Sequence, residues 1–332
     1  MNYSTLFNEL EATQSSLILK VGNLKNKPTY SIFIPTFNRP DLLKEAIESA
    51  LNQDYIGEYE IIVIDNCSNN KNFKLVEDYI SNLSLKNNRC ISLFRCLTPS
   101  NSWNMGILKS VSDWVIMLHD DDLLKGNHLS EVDKVICKVK NIGALCSDSE
   151  NLIQNTRLSS KTLFFIFLKE TIKGVRRNRL IKLKIFDFYF HNPASNTGIV
   201  LNRKIALEEG GFNNKLYGIP DYALIFRMLK DFNNVYYLNK KLSIIRFSIN
   251  DGLNPEIIYS LKKSSEQIRI EIQNLRPNFK KNDFGFHKLT LQLTDSEYNL
   301  EGKSFLQSAK ISCLRIYTRT LTLLVFIKSI IF

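Results

Sequence analysis

An α/β fold built on a largely parallel sheet is what this sequence predicts. Short apolar, β-rich runs alternate with stretches of helical period between residues 30 and 118, and the runs are continuous rather than alternating, as in strands buried on both faces. Alternating strands and helices imply helices on both faces of the sheet. Taken in order, residues 1–28 are a polar lead-in with a short amphipathic stretch over 6–19. Residues 30–34 form a strand that stops at Pro35, which cannot donate to a ladder. Residues 41–52 place Leu42, Leu43, Ala46, Ile47, Ala50 and Leu51 at helical spacing just after Pro40, a residue suited to a first turn. Strands follow at 60–65, 91–96 and 114–118, with helices at 73–82 and 102–111 between them. Further on, 199–202 is a strand, and Asp221 opens an apolar helix containing Leu224, Ile225, Met228 and Leu229.

With 332 residues and 44% hydrophobic content the chain can bury a full core. Its net charge of +11 favours anionic partners, whether nucleic acid, nucleotide phosphates or a membrane face. The charge is uneven. Residues 157–184 are basic with Glu170 their single acid, and 302–332 contain Lys303, Lys310, Arg315, Arg319 and Lys328 with no acid. Both stretches carry long apolar side chains, a pattern shared by membrane-surface helices and by solvated helix faces over a core. No apolar run approaches the roughly 18 to 20 residues that span a bilayer, and the N-terminus lacks a basic-then-apolar signal layout. The expectation is a cytoplasmic protein, peripheral on the inner membrane face if the basic C-terminal stretch lies there. Six cysteines without a Cys-x-x-Cys pair support neither a zinc site nor a redox motif.

Three polar clusters fall just past strand ends, where open α/β sheets bind ligands. They are Pro35, Thr36, Phe37, Asn38 and Arg39; then Asp65 and Asn66; then Asp120, Asp121 and Asp122 after His119. Three like charges at a strand end repel and resist desolvation unless a cation or a set of donors compensates them. Mg2+ or Mn2+ suits carboxylate oxygen and needs only one or two protein ligands where a diphosphate supplies the rest. Aspartates also serve turns and helix caps, and a lone His at a strand end also serves as a hydrogen-bonded core residue.

Together these motifs resemble the inverting glycosyltransferases of family 2, which have the GT-A fold. The resemblance continues through Gly210, Gly211, Phe212, Asp221, Tyr222 and Arg227 and covers about 29–250, leaving 1–28 as lead-in and 251–332 as a helical, basic-apolar region. It implies a nucleotide-sugar site lined by Pro35, Thr36, Asn38, Arg39, Asp65, Asn104, Asp120 and Arg246. It implies a metal held chiefly by Asp121, with Asp122 and His119 beside it, and Asp221 as the base that deprotonates an acceptor hydroxyl. Pro220 stands where the family usually has Glu, and Ser248 where it has a His after the Arg matched by Arg246. The implied cofactor is Mn2+ or Mg2+. The implied partners are a nucleoside-diphosphate sugar, with uridine favoured, and a glycan or lipid-linked oligosaccharide acceptor of O-antigen or capsule type. An anionic membrane surface would be a further partner.

Two rival functions fit less well. A sugar nucleotidyltransferase needs a Gly-rich phosphate loop after the first strand, and residues 35–39 contain no glycine. A nucleic-acid-binding module would space aromatics among its basic residues, and no such motif occurs.

Overall fold

The computed structural model describes residues 15–86, 88–96, 101–152, 178–185, 187–190, 197–212, 220–246 and 255–275. The basic stretch at 157–177, the acceptor-side residues 192–196, Ser248 and the C-terminal stretch 302–332 lie outside them.

The sheet is organised around two strands buried along their whole length, β2 (Tyr30–Thr36) and β3 (Tyr59–Asp65). They pair in parallel from Tyr30↔Tyr59 to Thr36↔Asp65. Strand β5 (Trp114–Met117) flanks β2 on its other side, and β4 (Arg89–Cys96) flanks β3, both in parallel. This four-stranded parallel block is the one the sequence predicts. One detail differs: β2 does not stop at Pro35 but runs through it to Thr36. The Phe33 carbonyl, whose side of the strand Pro35 shares, accepts from Leu118 at the end of the β5 pairing. Pro35 therefore faces a stretch with no ladder partner, and its missing N–H costs nothing.

The rest of the sheet is mixed. Strand β1 (Ser15–Val21), in a segment that reads from sequence as polar lead-in, pairs antiparallel with β4 at one edge. Strand β9 (Ile199–Asn202) lies antiparallel between β5 and β7 (Ala144–Leu152), and β10 (Val235–Arg246) runs parallel to β7. The short β6 (Leu123–Leu124) and β8 (Leu180–Lys182) both pair antiparallel with β10. The strand order is β1-β4-β3-β2-β5-β9-β7-β10-β6.

The helices follow the expected apolar periods. Helix α1 (Pro40–Leu51) starts on Pro40 and buries Leu43, Ala46, Ile47 and Ala50. Helix α2 (Asn70–Ser81) begins earlier than the apolar period indicates because Asn69 caps it, accepting from the Asn72 N–H at 2.9 Å. Helix α3 (Ser102–Lys109) packs on β2 through Gly106. Helices α4 (His128–Ile136), α5 (Asp187–Phe190), α6 (Arg203–Glu208), α7 (Pro220–Phe232) and α8 (Pro255–Leu275) complete the described set. Helix α7 is buried without a break from Asp221 to Leu229.

The chain divides into two compact units. The first comprises 1–183, 194–213 and 220–250 and holds the entire sheet with α1–α4, α6 and α7. The second comprises 184–193, 214–219 and 251–332 and contains α5 and α8, with Phe188, Ile268 and Ile272 buried. No helix among the described residues is long and apolar enough to cross a membrane.

A Cβ at Gly106 would lie 2.3 Å from the Phe33 ring, which is itself fully buried. Gly106→Ala should therefore destabilise the protein by about 1–3 kcal/mol through overpacking, read by chemical denaturation. An unchanged midpoint would mean that α3 does not seat on β2 in this way.

Candidate active site

The three carboxyl ends of β2, β3 and β5 lie side by side, and their loops are tied together before any ligand is considered. Asn38 adopts φ 55 and is the staple between the first two. Its N–H donates to Ser68 Oγ at 2.8 Å, and its side-chain oxygen accepts from Asn69 N and Nδ2, each at 2.9 Å. Asn38 thus shapes the loop, and Pro35, buried within β2, does the same. Between them Phe37 is 55% exposed, a large aromatic presented at the sheet edge. The sequence pattern names its neighbours and passes it over; an aromatic directly after a strand end was the available signal.

Asp65 closes β3 at 1% exposure. Its Oδ2 accepts from the Ser68 N–H at 3.1 Å and faces Arg95 Nε at 3.6 Å, while Oδ1 is buried with no hydrogen-bond partner among the described residues. Burial pushes the Asp65 carboxyl above the ordinary aspartate range, against the pull of Ser68 and Arg95. Arg95 also donates to the Ser68 carbonyl and lies over the Phe73 ring, so it braces the loop after β3.

The aspartate triplet is buried, and its members do different things. Asp120 accepts from Thr36 Oγ1 at 2.8 Å through Oδ2. Its Oδ1 and Asp121 Oδ2 converge on one nitrogen, Arg39 Nη1, at 3.6 and 3.2 Å. Asp122 turns the other way: Oδ1 accepts from the Arg246 backbone N–H at 3.0 Å and Oδ2 from the Thr197 hydroxyl. Burial raises the carboxyls of Asp120 and Asp122, with these hydrogen bonds and the charge of His119 opposing it.

Of the expected metal set, Asp121 turns an oxygen to the Arg39 guanidinium beside Asp120, while Asp122 and His119 make other contacts. Both oxygens of Asp122 are engaged by the protein, and the His119 ring stands edge-to-face with Trp103 at 5.3 Å. Among the described residues no three His, Cys, Asp or Glu side chains converge to hold a metal. Asp120 and Asp121 do aim oxygens at one cationic group, and two hard oxygen donors fit Mg2+ or Mn2+ where a diphosphate completes the shell.

Arg246 ends β10 with its guanidinium bonded to Glu45 on α1, so the side chain expected at the diphosphate is paired within the protein. Asn104, also expected at the donor, is fully buried. Its amide donates to the Phe212 carbonyl at 3.1 Å and accepts from the Phe212 N–H at 2.7 Å, and Asn101 Nδ2 donates to the same carbonyl at 2.8 Å. Asn104 thus pins the turn after α6 rather than offering a group to a ligand. That turn needs Gly210 and Gly211 at φ 73 and 62 to end the helix. Arg227 on α7 donates to the Gly211 carbonyl and lies 3.5 Å from Glu209, whose carboxyl burial raises to about 7.

Asp221, in the first turn of α7, is 3% exposed, and its Oδ1 accepts from the Tyr222 N–H at 2.7 Å. Burial raises its carboxyl, and the Tyr222 N–H and the charge of His119 oppose the rise.

Comparison with known proteins bears on this site. The sequence profile described as Glycosyl transferase family 2 matches residues 31–200. The chain belongs to this family. Among curated relatives it is 23% identical over 177 residues to the poly(ribitol-phosphate) beta-N-acetylglucosaminyltransferase TarS of Staphylococcus aureus, covering 48% of this chain and 29% of TarS. It is 26% identical over 235 residues to the GalNAc(5)-diNAcBac-PP-undecaprenol beta-1,3-glucosyltransferase of Campylobacter jejuni, covering 68% of this chain and 67% of the relative. The first of these matches thus spans under a third of the relative's length. Residues 1–349 of TarS in complex with UDP-GlcNAc superpose with a TM-score of 0.54 at 16% identity, covering 84% of this chain and 77% of that one. The mannosyltransferase PcManGT from Pyrobaculum calidifontis, in complex with GDP-Man and Mn2+, gives 0.54 at 13% identity, covering 99% and 91%. The fold is GT-A, and residues 31–200 carry the Glycosyl transferase family 2 domain.

Two outcomes test the site's architecture. Thr197→Val removes a donor from a buried carboxylate and should cost about 1–3 kcal/mol of unfolding free energy, read by urea denaturation. Asp65 is raised above its ordinary 3.8, so its contribution to stability is full below that value and is lost as pH climbs through the raised value. Asp65→Asn should accordingly gain stability relative to the wild type as pH rises across that window, and a constant difference would contradict the burial argument.

Proposed function

We propose that this glycosyltransferase moves a sugar from a nucleoside-diphosphate donor, with uridine favoured, to a hydroxyl of a glycan acceptor, inverting the anomeric carbon with help from Mn2+ or Mg2+. The observation that carries this reading is the convergence of Asp120, Asp121 and Arg39 at the carboxyl edge of the parallel block, beside Asp65 and Phe37. The UDP-GlcNAc bound to TarS and the GDP-Man and Mn2+ bound to PcManGT support it.

Each residue has a distinct task in that reaction. Asp65 Oδ1, buried without a partner among the described residues, is an acceptor for an N–H of the base, and the exposed Phe37 ring offers a face to stack on it. Thr36 fixes Asp120, and Arg39 supplies a guanidinium for phosphate oxygen. Asp121 together with Asp120 would hold the cation, which when bound offsets charge on the departing diphosphate as a Lewis acid. Asp221 accepts the acceptor hydroxyl proton as that oxygen attacks. Its burial makes it a stronger base than an exposed aspartate, while Tyr222 keeps the carboxylate aimed.

The acceptor is proposed to be lipid-linked, of O-antigen or capsule type, with residues 29–250 as the catalytic domain. The Campylobacter relative's undecaprenol-linked substrate supports this, as do the basic, apolar residues at 302–332, which suit the inner membrane face.

A hydrolysis screen over nucleotide sugars with Mn2+ should identify one donor. An α-linked donor should give a β-linked product by NMR, and retention would overturn the single-displacement mechanism. Asp121→Asn should abolish metal-dependent transfer. Asp221→Asn should leave donor binding intact and lower kcat by about 10²- to 10⁴-fold. The acid limb of the kcat profile should lie above the ordinary aspartate range, because Asp221 must lose its proton to act and burial raises its pKa.

A further inference from the structure

One cation already sits between the two carboxylates assigned to the metal. Arg39 Nη1 lies 3.2 Å from Asp121 Oδ2 and 3.6 Å from Asp120 Oδ1, in a pocket where those carboxylate side chains are only 11% and 10% exposed. A single nitrogen between two largely desolvated carboxylates occupies the place where those two residues would hold a metal. The Arg39 side chain is 30% exposed, so it has a route outward.

The surroundings separate a movable side chain from a fixed base. The Arg39 backbone is held: its carbonyl accepts from Leu43 in the first turn of α1, and Asn38 before it is fastened to Ser68 and Asn69. Asp120 is held as well, by Thr36. Side-chain torsions can therefore carry the guanidinium off the carboxylate pair while the Arg39 backbone and Asp120 stay in place. A guanidinium is also matched to phosphate oxygens, which offers it a second resting place.

We propose that Arg39 is the resident counter-ion of Asp120 and Asp121 and that it competes with the divalent cation. Metal binding is then tight only when a nucleoside diphosphate draws the guanidinium away. The argument rests on the proposed nucleotide and metal site and adds a coupling within it. Competition by a like-charged group weakens metal binding, and a ligand that removes the competitor strengthens it. By linkage, the metal strengthens nucleotide binding by the same factor.

The test is Mn2+ binding by electron paramagnetic resonance and calorimetry, with and without UDP, on the full chain. The wild type should bind Mn2+ weakly alone and more tightly with UDP. Arg39→Gln should bind Mn2+ alone about ten-fold more tightly than the wild type, with a smaller enhancement by UDP. Arg39→Lys, which retains a cation, should stay near the wild type, and thermal melts should establish that both variants are folded. If Arg39→Gln binds Mn2+ alone no better than the wild type while UDP enhancement keeps its full size, Arg39 is a phosphate ligand only and the competition is overturned. If UDP binds the wild type without recruiting Mn2+ at all, the metal assignment itself fails, and the competition with it.

Discussion

The burial of three adjacent carboxylates at the end of β5 is the constraint on which the rest of the site depends. Desolvated like charges are tolerated only where specific donors reach each of them. Here the donors come from widely separated parts of the chain: Thr36 at the end of β2 and Arg39 beyond it, Thr197 before β9, and the backbone of Arg246 at the end of β10. Compensating the triplet therefore assembles the cleft. A cluster costly by itself becomes the point at which early and late segments of the first unit meet.

The result is a division of labour among identical side chains. Asp122 accepts from the Arg246 backbone and the Thr197 hydroxyl, whereas Asp120 and Asp121 each turn an oxygen to the Arg39 guanidinium. A similar division separates the acceptor side. Asn101, Asn104 and Arg227 fasten the backbone of residues 211 and 212, and the Asp221 carboxylate accepts from the Tyr222 N–H.

The parallel block was legible because its strands are buried on both faces and so carry uninterrupted apolar runs, as over Ile61, Ile62, Val63 and Ile64. The clusters at strand ends were legible for the same reason, since polar residues stand out against such runs. Strand β1 was not: Leu17 and Ile18 are exposed on an edge strand, and their burial gives no period to detect. Nor were the partners of Asn104, Asp122 and Arg246. Residue types forecast the chemistry a side chain can do, but whether its polar atoms are spent on a distant backbone depends on tertiary contacts, such as the Phe212 amide that occupies Asn104.

The hydrogen bond from Arg246 to Asp122 spans 124 residues of sequence. At ribosomal rates of about 5–20 residues per second, the aspartates emerge roughly 6–25 seconds before the segment that satisfies them. During that interval the nascent chain carries an acidic knot without its late partners, on a parallel sheet still open at the β5 side. The cleft is thus a late product of synthesis, and a polypeptide interrupted between β5 and β10 would lack the Arg246 backbone donor that satisfies Asp122.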